Sequence, residues 1–140
     1  MTIAVKRVYE AASPADGVRV LVDRLWPRGV KKEEAAVKVW LRDVAPSTEL
    51  RKWFHANVDA WNMFRQRYLK ELTGKKQTEG LEKLHQLAES EGKLTLLYAS
   101  RNEERNNATV LKDLLDGVRK PPSKVGQGAA GRERIRKARK

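Results

Sequence analysis

Two short apolar runs constrain this chain most: VRVLVD at 18–23 and LTLLYA at 94–99. Both are too short for a stable helix. Their nearly continuous apolar character, in place of strict alternation, is the pattern of strands buried on both faces. Strands of that kind sit inside a sheet that helices cover, so the expected fold class is α/β. The chain has 140 residues, 40% of them hydrophobic and 34% charged, enough for one domain of about 100–150 residues with a tail to spare. No apolar run reaches the ~18–20 residues of a membrane span, and the N-terminus does not read as a secretory signal. The sequence has no cysteine, which excludes disulfides, thiolate catalysis and cysteine-ligated metals. With only His55 and His85, no multi-histidine metal site can form in one chain, so no metal and no cofactor is expected. The expected location is the cytoplasm.

The remaining elements follow from local signals. Residues 3–9 hold β-branched residues in loose alternation and predict a first strand; 18–23 is the second. Residues 31–36 predict a short exposed helix and 37–41 a third strand. Ser47 is an N-cap with Glu49 in the first turn behind it, so 48–55 is predicted helical. Trp61, Phe64, Tyr68 and Leu72 share one face of a helix over 60–72, with Asp59 as its expected cap. Leu81, Leu84, Leu87 and Ala88 mark a helix over 79–91 that Gly92 stops. A last helix is predicted over 103–116, ended by Gly117 and barred from returning by Pro121-Pro122. The sum is a small, partly parallel sheet of about four strands packed with about four helices, residues 94–99 being the central strand. No internal repeat is visible.

Beyond 118 the composition changes. Residues 119–140 carry Arg119, Lys120, Lys124, Arg132, Arg134, Arg136, Lys137, Arg139 and Lys140 against one acid, Glu133, a large share of the formal net charge of +12. The domain is therefore expected over 1–118, with 119–140 a flexible basic tail. Such an arm is either a solvated extension or a contact for a polyanion, most naturally RNA, bound through phosphates without base readout.

Two loops carry chemistry. The first, VDRLWPRG at 22–29, follows a predicted buried strand, and ligands in open α/β sheets sit beyond the carboxyl ends of strands. Arg24 and Arg28 could clamp a phosphate or carboxylate while Trp26 stacks on a ring. Against this stands a structural role, with Asp23 ion-paired to Arg24 and Trp26 anchored in the core. The second loop runs from Tyr98 through Ser100, Arg101 and Asn102 to Asn106, ahead of a helix N-terminus where amides attract anions. Glu103 and Glu104 in that turn would compete with an anion. Trp53, Phe54, Trp61 and Phe64 read as helix–helix core. No G-x-G-x-x-G or P-loop is present.

The segments KRVYEAASPADGVRVLVDRLWPRGVKK, APSTELRKWFH, FRQRYLKEL and LTLLYASRNEERNNATVLKDLL, in that order over about 1–117, resemble the YeaO-like bacterial family, domain of unknown function 488. The resemblance implies a small cytoplasmic α/β domain and no particular activity, substrate or catalytic set. The family pattern falls on Asp23, Arg24, Trp26, Pro27, Arg28, Gly29, Ser47, Leu50, Arg51, Phe54 and the 98–107 loop. The tail has no counterpart in it.

Two functional readings stay open. One is an anionic small-molecule site between the 23–29 and 98–107 loops. There Arg24, Arg28 and Arg101 bind the anion, Trp26 and Tyr98 wall the pocket, and Ser100, Asn102 and Asn106 orient the ligand. Asp23 holds an arginine, or acts as base if the site is catalytic. The other is a non-enzymatic module that contacts nucleic acid through the tail; no nucleophile–base pair argues for catalysis. Oligomeric state is not encoded in any local signal.

Overall fold

The computed structural model describes residues 2–119. Four strands, β1 (Thr2–Arg7), β2 (Val18–Leu21), β3 (Val39–Trp40) and β4 (Lys93–Tyr98), form one sheet in the order β1-β4-β2-β3. Every pairing is parallel. The α/β class is borne out, and β4 is central, as its apolar run predicts. The sheet is fully parallel because β4, last in the chain, inserts between β1 and β2 and runs alongside both. Its register pairs Leu94 with Ile3 and Val18, and Leu97 with Lys6 and Leu21.

The helices are α1 (Lys32–Ala35), α2 (Thr48–Ala56), α3 (Trp61–Glu71), α4 (Lys75–Glu91) and α5 (Asn107–Arg119). The main core lies on one sheet face, where Val20, Leu94, Leu96 and Tyr98 meet Leu50, Phe64, Tyr68, Leu84, Ala88, Leu111 and Leu115. On α3 and α2 the aromatic rings do pack as core: Phe64 lies 4.3 Å from Phe54, 5.6 Å from Trp61 and 5.8 Å from Tyr68, centroid to centroid. A smaller cluster of Val8, Leu21, Ala35 and Leu97 lies apart from it, with Trp26, Val30 and Trp40 packed against it.

Local signals place most boundaries correctly. Ser47 Oγ accepts from the Leu50 N–H at 3.1 Å and caps α2. Gly92, at φ 81°, adopts the left-handed conformation that terminates α4.

Four expectations need correction. The last helix starts at Asn107 and not at 103. Asn102 Oδ1 accepts from the Glu104 and Arg105 N–H groups and holds a turn there, while Asn106 and Thr109 cap each other's backbone. That helix also runs through Gly117 to Arg119, because a glycine stops a helix only when it turns left-handed, and Gly117 does not. α4 begins at Lys75, a turn before 79, and carries Gly80 inside it. An added Cβ at Gly80 would stand 2.6 Å from Val44 Cγ1, so the helix passes too close to that turn for any side chain. Finally, α3 is capped by Ala60 with no side-chain bond, and Asp59 does not serve.

One buried group has no apolar signature. Arg19 on β2 is 4% exposed and donates to Asp16 at 2.7 Å and to the Ala35 carbonyl. Lys6 reaches the same Asp16 at 3.1 Å. Burial by itself would raise the Asp16 pKa, but the bonds from Arg19, Ser13 and Lys6 outweigh it and hold the carboxyl below its ordinary value. No helix among the described residues is long and apolar enough to cross a membrane.

Candidate functional site

Because the strands are parallel, their carboxyl ends share one edge of the sheet. β1 delivers Arg7 there, β4 delivers Tyr98, β2 leads into Asp23, and β3 leads into Arg42. The 23–29 and 98–107 loops meet at this edge, and Asp23 is the junction. One Asp23 oxygen accepts from the Ala99 N–H at 2.9 Å and the other from Asn107 Nδ2 at 3.1 Å. The Asn107 amide also donates to the Val22 carbonyl, and Trp40 Nε1 donates to the Asp23 carbonyl at 2.7 Å. Burial pushes the Asp23 carboxyl up from its ordinary value; the Ala99 and Asn107 bonds and the Arg51 charge oppose that rise. Asp23 thus ties the end of β2 to the end of β4 and the first turn of α5. It makes no bond to Arg24.

The other residues named from the sequence divide by what they touch. Arg24 donates to the Pro46 carbonyl at 3.0 Å and the Ala45 carbonyl at 3.1 Å, strapping the loop to the turn ahead of α2. Trp26 donates to the Val30 carbonyl and packs edge-on against Trp40 at 5.4 Å. Tyr98 is buried. Loss of solvent raises its phenol pKa, helped by Glu103 and Glu10 and opposed by Arg7 and Asn106. Ser100 Oγ accepts from the Asn102 N–H, and Asn106 closes the cap of α5 and bonds the Asn102 carbonyl. Arg28 and Arg101 are exposed, and neither has a carboxylate within ion-pair distance among the described residues.

Three residues of this edge, Arg7, Tyr9 and Asn107, escape the sequence reading as site residues. Arg7 donates from Nε to the Ser100 carbonyl at 2.9 Å and from Nη2 to the Ala99 carbonyl at 3.1 Å, and its guanidinium lies 4.9 Å from the Tyr9 ring centroid. Tyr9 in turn donates to the Arg28 carbonyl at 3.1 Å. Arg7 and Tyr9 therefore connect the Arg101 loop to the Arg28 loop. The only advance sign of Arg7 was a cation inside the strand predicted over 3–9, which the structure ends at Arg7. Asn107 had no sign beyond its place beside Asn106.

The edge is not purely basic. Glu10 bonds the Arg7 backbone N–H at 3.4 Å, and Glu103 and Glu104 are exposed in the loop. No group of three or more His, Asp or Glu among the described residues could hold a metal ion. Of the nine basic tail residues, Arg119 ends α5, and those from Lys120 to Lys140 lie outside the described residues.

A family model described as "Inactive DUF488-N3 subclade" matches residues 2–123. The uncharacterized protein YeaO of Escherichia coli (strain K12) is 49% identical over 115 residues, which are 82% of this chain and 97% of YeaO. The uncharacterized protein Rv3073c of Mycobacterium tuberculosis (strain ATCC 25618 / H37Rv) is 42% identical over 115 residues, 82% of this chain and 94% of that protein. No solved structure matches.

Proposed function

The chain belongs to the inactive DUF488-N3 subclade, and from that premise we infer that it is a non-catalytic anion-binding module. One observation carries the reading. At the carboxyl edge of the sheet the half-buried carboxylate between the two loops, Asp23, is bonded within the protein, while Arg28 and Arg101 are exposed with no carboxylate partner among the described residues. Asp23 is the carboxylate that joins the two loops, and both its oxygens are engaged by Ala99 and Asn107. Arg7 caps the Ala99 and Ser100 carbonyls, which removes acceptors that would repel an anion arriving between the loops. Arg24, Trp26, Tyr98, Ser100, Asn102 and Asn106 are then the frame that sets the positions of the two exposed guanidinium groups.

Isothermal titration with phosphate, pyrophosphate and a nucleotide tests this. Binding of one of them is expected, lost in the double variant Arg28→Ala, Arg101→Ala with the fold intact by circular dichroism. Binding that survives the double variant, or none in the parent protein, refutes the site.

A second reading rests on the charge of residues 119–140, where nine basic side chains face Glu133 alone. An arm of that kind contacts the phosphates of RNA. With about five phosphates engaged on single strands, the log–log salt slope would be roughly −3 to −4. A truncation ending at 118 that binds RNA as well as the full chain rejects it.

A further inference from the structure

We propose that the surface formed by Lys32, Trp26, Trp40 and Arg42 is a docking face for single-stranded nucleic acid. The proposal goes beyond the anion site and shares no arginine with it. The four groups stand in series: Lys32 Nζ lies 6.0 Å from the Trp26 ring, Trp26 lies 5.4 Å from Trp40, and the Arg42 guanidinium lies 3.9 Å from the Trp40 ring. Two adjacent indoles thus form the middle of the series, with a cation at either end. Among the described residues, the cluster behind the two indoles takes Ala35 from the four-residue α1 and no residue from α2, α3, α4 or α5.

Both indoles are held from behind. Trp26 and Trp40 pack against the Val8, Leu21, Ala35 and Leu97 cluster, and each ring N–H is bonded to a backbone carbonyl at 2.7 Å. Their hydrogen-bonding capacity is satisfied internally, so what they offer a ligand is ring surface. Lys32 and Arg42 are exposed, and no carboxylate pairs with either among the described residues.

Charge decides the class of partner. Leaving out the arginines of the anion edge, residues 31–42 carry Lys31, Lys32, Lys38 and Arg42 against two acids, Glu33 and Glu34; of the flanking acids, Asp43 is exposed and Asp23 is bonded within the fold. A partner suited to this face needs repeated negative charge together with flat rings. Single-stranded nucleic acid supplies both, with bases stacking on aromatic or guanidinium planes and phosphates meeting the cations. The outer face of the Arg42 guanidinium, backed by Trp40, is the first stacking plane. With no free indole N–H to read base edges, binding tolerates any sequence.

The test titrates the full-length protein with a twelve-residue oligouridylate at low salt and follows intrinsic tryptophan fluorescence. The segment 119–140 contains no tryptophan, so the signal reports on the folded part. Saturable quenching is expected, with apparent affinity at least fivefold weaker in Lys32→Ala, Arg42→Ala. Arg42→Lys, which keeps the charge and loses the plane, falls in between. Arg28→Ala, Arg101→Ala, the variant that abolishes the anion site, weakens the quenching less than Lys32→Ala, Arg42→Ala does. The proposal is overturned if oligouridylate does not quench, or if polyglutamate of equal charge quenches as well. It is also overturned if Lys32→Ala, Arg42→Ala binds like the parent while folded by circular dichroism, or if Arg28→Ala, Arg101→Ala weakens the quenching as much as Lys32→Ala, Arg42→Ala does.

Discussion

Asp23→Ala tests whether the carboxyl edge is held together by one side chain. The substitution removes the acceptor of the Ala99 N–H and half of what Asn107 Nδ2 donates to; the amide keeps the Val22 carbonyl. A partly buried donor left without a partner costs about 1–3 kcal/mol, and removing a desolvated carboxylate gives part of that back. The expected loss at neutral pH is therefore about 2 kcal/mol. With a urea slope near ~1.5 kcal/mol per M, the midpoint falls by roughly 1–1.5 M. Asp23→Asn keeps an acceptor for Ala99 and is expected to lose less. The pH dependence is more diagnostic than the size. Burial raises the Asp23 pKa above 3.8 in the folded state, so the native protein binds this proton more readily than the unfolded chain. The Asp23 contribution is then fully present below 3.8 and declines as pH rises through the folded value. Urea titrations of parent and variant, read by tryptophan fluorescence from pH 3.5 to 7.5, should show a difference that shrinks with rising pH. A difference that grows with pH, or a variant as stable as the parent throughout, refutes the account of Asp23 as a desolvated tie.

Other substitutions probe the frame. Asp16→Asn leaves buried Arg19 without its counter-charge and should cost about 3 kcal/mol at neutral pH in urea melts. Because the Asp16 pKa is lowered, its contribution is present above 3.8 and lost as pH falls through the folded value, so the gap to the variant closes in acid. Tyr68→Phe deletes the hydroxyl that donates to the Val44 carbonyl in the core and should cost about 1–2 kcal/mol, seen as a lower urea midpoint. Gly17→Ala puts a Cβ 2.5 Å from the Lys93 carbonyl at φ 63°, so calorimetry should show a loss above about 2 kcal/mol. Gly29→Ala, at φ 77° with open space around it, should cost about 1 kcal/mol, the conformational penalty alone.

What the sequence determined by itself are the features encoded within a few residues. The apolar run of 94–98 can be stable only with cover on both faces, and it is the central strand. Ser47 finds its amide three residues on, and Gly92 can turn left-handed wherever it stands. Trp61, Phe64, Tyr68 and Leu72 share a face by helical geometry alone. What the tertiary structure decided are the partners of the polar groups. Asp23 bonds Ala99 and Asn107, 76 and 84 residues away, and Arg7 bonds Ser100 at a separation of 93. Sequence pattern could bring the two loops to one edge, since strands of a parallel sheet end together. It could not say that Asp23 would meet an amide and not Arg24, or that Arg24 would reach back to Ala45 and Pro46. The Asp23 partners follow from the register in which β4 pairs with β2, the Arg24 partners from where the turn ahead of α2 packs, and both are set by the packing of the whole core, where moving a strand by one residue sends every side chain to the opposite face.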